Sequence, residues 1–234
     1  MNPAAEAERL LQQLSEVVEE LRQAVNSVLE IIPSWLGWVA DQILKGWNWL
    51  CAKLEQLWAY LAELFARRGD PDALNAAADA WARSVGGPVS ARAGTAEAGA
   101  LRVDDMWAGT AADQYRQILP AQKGAMAAVK TMTDAVGQAL MSIKTGIYKF
   151  WGLVAVALAA LIVSIIGAIA STATIFGAPA GPVIAAGGVV AFLAAVTGGV
   201  LALNGDVSAA NNSLVKVLND NTPYPAGRWP RGVL

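Results

Sequence analysis

Three features of the sequence predict an all-α fold. Two seven-residue apolar repeats fill the first third, a long amphipathic stripe occupies the middle, and two charge-free apolar segments come after them. Apolar residues recurring every three to four positions mark helices with one buried face, and unbroken apolar runs of about 20 residues match the span of a bilayer core. The expected architecture is a set of antiparallel helical hairpins. A four-helix-bundle-like unit comes first, and a hydrophobic, membrane-type helical hairpin comes after it.

The first helix is expected from about Ala4 to Ile32. Leu11, Val18, Val25 and Ile32 form one seven-residue series and Leu14, Leu21 and Val28 the other, a coiled-coil seam with Glu16, Glu19, Glu20, Arg22 and Glu30 lying off it. Pro33 stops this helix, and Ser34 is a natural N-cap for the next. A second helix is expected from about Trp35 to Arg68. Ile43, Leu50, Leu57 and Leu64 repeat by seven, as do Trp47, Leu54 and Leu61, and a flanking row of Leu44, Cys51, Trp58 and Phe65 widens the face. So short a connection makes residues 1–68 an antiparallel heptad hairpin.

Residues 69–148 read as a second hairpin. Asp70 caps its first helix with Pro71 at the first helical position, and Leu74, Ala77, Ala78, Trp81 and Val85 mark the inner face. Gly86-Gly87-Pro88 is expected to interrupt it, and the apolar period of Val89 to Asp105 is weak. A long helix begins near Thr110, where Thr110 and Asp113 have capping-box spacing. Its stripe runs through Tyr115, Ile118, Leu119, Met126, Val129, Met132, Val136, Leu140, Ile143 and Ile147, with a kink expected at Pro120. The first two hairpins carry enough apolar surface to form the four-helix unit between them.

The third hairpin, 149–205, differs in kind. No charged residue occurs from Phe150 to Gly205. Residues 150–170 and 183–203 are the candidate transmembrane helices, with Ser164 the polar residue of one and Thr197 of the other. Ser171 to Pro182, with Gly177, Pro179 and Gly181, reads as the turn between them. Ala160, Ser164, Ala168 and Thr172 lie four apart on the first, and Gly187, Ala191, Ala195 and Gly199 on the second. Such small-residue ridges allow helices to approach closely in lipid, so these residues are the candidate packing ridge. A short polar helix from Val207 to Leu218 and an irregular Pro-rich tail complete residues 206–234.

Composition narrows the function classes. Histidine is absent and Cys51 is the single cysteine, which removes His-based triads, the usual zinc and copper sites and any intrachain disulfide. Cys51 reads as a small buried hydrophobe. Glu19-Glu20 and Asp104-Asp105 are adjacent carboxylates that do not face one another on a helix, so acid–base work is not expected of them. No phosphate loop, metal-ligand cluster or nucleophile with a base is present; neither an enzyme nor a cofactor is expected, and no metal site. A net charge of −2 gives no reason to bind nucleic acid. Met1 to Leu14 lacks the basic-then-apolar order of a signal peptide, so export by that route is not expected.

Trp107-Ala108-Gly109 is the most informative local motif. Trp35-Leu36-Gly37 has the same pattern, but at Trp107 a helix precedes the triplet, and Ala111-Ala112-Asp113-Gln114-Tyr115 opens a long amphipathic helix behind it. That order resembles the WXG family of type VII (ESX) secretion substrates of actinobacteria, over roughly residues 69–147. The resemblance implies a helical hairpin that pairs with another hairpin, with Trp107, Gly109 and Tyr115 at the turn or partner contact. It also implies another WXG-like helical protein or the type VII secretion machinery as partner.

The expected function is therefore that of a non-catalytic, type VII secretion-associated, WXG-like protein whose hairpin engages membrane lipid. Such a protein is membrane-associated, or secreted or held in the cell envelope by that route, with a homo-oligomer as one arrangement. Alternatives are a cytoplasmic-membrane-anchored helical protein with no export role, or the trafficking and packing module of a larger toxin system. Trp38 and Trp49 are eleven residues apart, three helical turns, and so share an outer face near Lys45 and Gln56. They are the candidate interface aromatics, since indoles favour the bilayer surface.

Overall fold

A computed structural model describes residues 2–96 and 106–231. Among the described residues the fold is all-α, with a hydrophobic hairpin toward the C-terminal end. The Asp104-Asp105 pair lies outside the described residues.

Helix α1 spans Pro3–Ile31 and α2 spans Gly37–Ala66. The Asn2 side chain accepts a hydrogen bond from the Ala4 N–H, and Pro3 starts the helix where no N–H is needed. The expected Ser34 cap does not form. Ser34–Leu36 is instead a 3-10 turn without a side-chain cap bond, entered from extended Pro33. Proline at 33 fixes that extended entry, and the tighter turn supplies the backbone bond from Leu36 N–H to the Pro33 carbonyl at 2.8 Å. The predicted seams are covered in part: on α1, Leu14, Leu21, Val25 and Val28 are buried, but Leu11, Val18 and Ile32 are half-buried and the adjacent Leu10 and Val17 take the covered positions. On α2, Ile43, Leu50, Leu54, Leu57 and Leu61 are buried and Trp47 and Leu64 half-buried.

Helix α3 is Pro71–Trp81, with Asp70 Oδ1 accepting from the N–H groups of Asp72 and Ala73 at 3.0 and 2.9 Å. Gly86-Gly87-Pro88 does not interrupt the helix. Ala82–Gly86 forms a π-helical turn that leads directly into α4, Gly87–Thr95. Gly87 N–H bonds the carbonyl of Ala82, and the residues at both ends of the turn stay in the right-handed helical region. Pro88 has no N–H and its ring crowds the preceding turn, so the wider turn is the way the helix continues past it. Gly86 is required for closeness: a Cβ there would lie 3.0 Å from Thr133 Cγ2.

Helix α5 runs without a break from Thr110 to Thr172, through Pro120, and α6 from Ala180 to Leu218. The polar stretch 207–218 is thus the end of α6, not a separate helix. No proline stands between Leu203 and Val207, and the apolar and polar halves both favour helix. The start of α5 is not the anticipated capping box. Gly109 precedes the first helical residue, its carbonyl accepts the Asp113 N–H, and the Asp113 carboxylate pairs with Arg116 at 2.8 Å.

The chain divides into two compact units. The first comprises Met1–Gly69 and Ile147–Leu203, and the second Asp70–Gly146 and Asn204–Leu234. The four helices that share a core are therefore α1, α2 and the apolar stretches of α5 and α6, rather than four helices within residues 1–148. Leu and Ile of the heptad seams pack with Val154, Leu158, Leu161, Ile165, Val189 and Phe192 in one cluster. In the second unit the buried side chains are mostly small: Ala78, Ala112, Ala125, Ala139 and Ala210, with Leu119, Thr133 and Pro230. The large seam residues of α1 and α2 find matching apolar area on the third hairpin, whereas residues 71–95 present mainly alanine.

Candidate functional site

Two helices, α5 and α6, are long and apolar enough to cross a membrane. Within the most apolar window of each, 44% and 33% of the residues are buried. The hairpin is thus neither the fully covered core of a soluble bundle nor free of protein contact. One flank packs on α1 and α2, and the other is open. Val156 is 72% exposed, Val163 and Leu201 are each 68% exposed, and Phe176 in the connecting turn is 77% exposed. With Ile166, Val183 and Val190 also accessible, the open flank is apolar along its length. Monomeric soluble proteins rarely leave so long a contiguous apolar surface in water.

The small-residue ridges contribute to the hairpin only in part. Ala168 and Thr172 are buried and Ser164 is half-buried, but Ala160 is exposed. On α6, Gly199 is buried while Gly187, Ala191 and Ala195 are exposed. A row of every fourth residue winds around an α-helix by about 40° per step, so four such residues drift by about 120° and leave the partner. The closest approach involves a different set. A Cβ on Gly188 would lie 2.5 Å from Ser164 Oγ, one on Gly199 would lie 3.1 Å from Leu153 Cδ2, and Gly181 abuts Thr172. Gly181 and Gly188, and likewise Ala185, Phe192 and Gly199, are seven apart. A heptad count on α6 is the sequence signal for this seam. Ser164, polar inside the hairpin, donates its hydroxyl to the carbonyl of Ile184 at 3.2 Å.

The aromatics of α2 divide as the heptad face predicts. Trp47 and Trp58 pack against the core. Trp38 is 60% exposed and Trp49 43% exposed, and Trp35 is open as well. Along the flanking row, Phe65 stacks at a tilt on Trp151, with ring centroids 4.9 Å apart, and Trp151 Nε1 donates to the Arg68 carbonyl at 2.9 Å. The period does not single out Trp151, since an indole inside an uncharged run gives no facing signal. Cys51 is partly covered; burial pushes its thiol up, and nearby Glu55 adds to the shift, so the thiolate is disfavoured.

In the second unit the Trp107 turn is a built feature. Gly109 has φ +102°, a backbone region that side chains with a Cβ rarely adopt. Trp107 lies over Tyr115, ring centroids 5.8 Å apart, and Arg116 donates to the Trp107 carbonyl at 3.2 Å. Arg116 is the residue that sequence reasoning misses; its spacing from Asp113, one helical turn, is the available signal. The other triplet differs: Gly37 has φ −52° and simply begins α2. Along α5 the large residues Met126, Val129, Met132, Val136, Leu140 and Ile143 are only half-buried. The tail is anchored, since the Tyr224 hydroxyl donates to the Ala125 carbonyl at 2.7 Å and Gln122 to that of Pro230 at 3.2 Å. Trp229 borders an apolar cavity of about 300 Å³ with Pro88, Val89, Met126 and Val129.

Among the described residues no group of three or more potential metal ligands comes together. The chemistry of the open surface is that of a lipid or apolar-protein contact. The chain matches no family model, no curated protein and no solved structure.

Proposed function

We propose that this chain is a non-catalytic helical protein whose apolar hairpin engages membrane lipid, and that it works as a WXG-like component of type VII secretion. The observation that carries the membrane part is the open flank of a charge-free hairpin. In lipid each Leu, Ile, Val or Phe of a central span contributes a few tenths of a kcal/mol, and no charge opposes them with its penalty of about 3 kcal/mol. Ser164 and Thr197, the polar residues of the two spans, donate their hydroxyls to the carbonyls of Ile184 and Leu193, so neither is left wanting water.

Support for the secretion part comes from the second unit. The Trp107 turn has the left-handed glycine and the indole–phenol contact that suit a family-like hairpin turn. The half-covered stripe of α5 suits a second WXG-like hairpin as partner.

Flotation of the purified full chain with phosphatidylcholine–phosphatidylglycerol vesicles tests the membrane part. The protein is expected in the lipid fraction and resistant to carbonate extraction; a chain that stays at the bottom of the gradient rejects this function. Fractionation of the native host into medium, membrane and cytosol tests the secretion part. Appearance in the medium that is lost in a Trp107→Ala, Gly109→Val double variant is expected. A membrane fraction alone, indifferent to that variant, favours an anchored protein with no export role.

A further inference from the structure

We infer that the α1–α2 hairpin is a releasable cover, which must leave the third hairpin before that hairpin enters a bilayer. The cover rests on the membrane reading and adds the step that precedes insertion. At one end of the shared core, Arg68 and Phe65 meet Trp151, and Gly69 meets Ile147. At the other end a Cβ on Gly46 would lie 3.3 Å from Pro182 Cβ and 3.5 Å from Val183 Cγ2. Residues 46–68 therefore run alongside the whole first candidate span, from Trp151 to the turn before Pro182.

That stretch carries Lys53, Glu55, Glu63, Arg67 and Arg68, and its partner α1 carries Glu16, Glu19, Glu20 and Arg22. Lys53 is half-exposed and the others are exposed, on the side away from the shared core. Carrying the covered hairpin into a bilayer would bring those charges to the depth of the acyl chains, where each is opposed by a penalty that several apolar residues do not offset. The apolar flank under the cover cannot meet lipid while α1 and α2 occupy it. The covered and the inserted arrangements exclude one another.

The attachment suits release. Among the described residues, the Trp151 indole donating to the Arg68 carbonyl joins the two hairpins, and the shared core is otherwise apolar. On the side of the third hairpin, apolar contact with protein is exchanged for apolar contact with acyl chains at little loss, whereas a buried polar network would not be. The cover is joined to α3 through Gly69, whose φ of +74° marks a turn rather than a continuing helix. Once free, α1 and α2 keep their own heptad seam, and exposed Trp35, Trp38 and Trp49 are anchors suited to a bilayer surface.

A disulfide lock tests the cover. Gly46 and Pro182 have close to the Cβ separation at which disulfides form, about 3.5–4.5 Å. Full-length Gly46→Cys, Pro182→Cys in a Cys51→Ser background is oxidised, checked for helicity, and floated with the same vesicles before and after reduction. Gly46→Cys, Val183→Cys is a second lock should the first disturb folding. The oxidised form is expected to remain with the soluble fractions and the reduced form to float as Cys51→Ser alone does. Equal flotation of oxidised and reduced forms overturns the cover and leaves the membrane reading standing. If the unlocked Cys51→Ser protein itself does not float, the membrane reading fails, and the cover with it.

Discussion

The two hairpins of the first unit are built from the same kind of helix and share one core, yet they differ on the side turned away from it. The α1–α2 hairpin alternates seam and charge, so its sequence names both faces. Leu57 is inaccessible while neighbouring Glu55 and Gln56 are exposed. The α5–α6 hairpin has no such alternation: Val154 is buried and Val156 open, and nothing in the residue types separates them. Amphipathic period thus reports burial only where one side is meant for water. Where neither side is, the helix reads as apolar all round, and only its neighbours decide which flank is covered.

This contrast can be broken most sharply with a charge. Leu57→Asp is expected to unfold the first unit or to cost it at least about 4 kcal/mol, because it leaves an unpaired carboxylate in the core. Val156→Asp, on the open flank, should change the stability of the soluble protein by no more than about 0.5 kcal/mol, while abolishing vesicle flotation. Urea unfolding monitored by circular dichroism checks both. Equal destabilisation by the two substitutions would mean that the open flank is covered in solution.

Adjacent glycines of α6 give a smaller and signed effect. Gly188→Ala is expected to destabilise by about 1–3 kcal/mol, since its new methyl group would meet Ser164 Oγ and, at 2.8 Å, Ser164 Cβ. Gly187→Ala meets nothing within 4 Å and should stabilise by about 0.5–1 kcal/mol through helix propensity. The same urea series reads both, and a shared sign would show that α5 and α6 do not approach as closely as Gly188 implies. Ala195→Leu, on the open flank, should leave the pairing intact.

The smallest effect belongs to the charged face of the first hairpin. Hydrogen bonds from Arg22 at 2.6 and 2.7 Å, and from Gln23, hold the Glu19 carboxyl down to about 2. A lowered value means that its contribution is present above the ordinary carboxyl range and is lost as pH falls through about 2. Because the pair is solvent-exposed, no resolvable change in unfolding midpoint is expected from Arg22→Ala. The Glu19 carboxyl resonance should instead titrate at a higher pH in that variant, still held below the ordinary value by Gln23.

The elements are largely legible in the sequence, because seams, caps such as Asp70 and the stops at Pro33 and Gly69 are local chemistry. What is not legible depends on partners. The core shared by the first and third hairpins joins residues far apart in the chain, and two apolar surfaces give no sign of which will meet. Composition misplaces the ridge at Gly187, Ala191 and Ala195, because it shows small residues but not the drift that carries them off the seam. Trp107 and Gly109 are legible together because a left-handed glycine beside an indole is a local requirement, whereas the carbonyl held by Arg116 needs the helix to be in place.

The π-helical turn at Ala82–Gly86 has a consequence for reading residues 71–95. It holds about one residue more than an α-helical turn, and each residue advances the direction of a side chain by about 100°. Positions before and after it are therefore out of phase: Val89 reaches the cavity beside Met126 and Val129 in a frame shifted from that of Leu74 and Ala78. A one-residue deletion within 82–86 would restore a uniform helix and swing Val89 away from that cavity. Any alignment of this segment by helical repeat must slip by one residue at the same place.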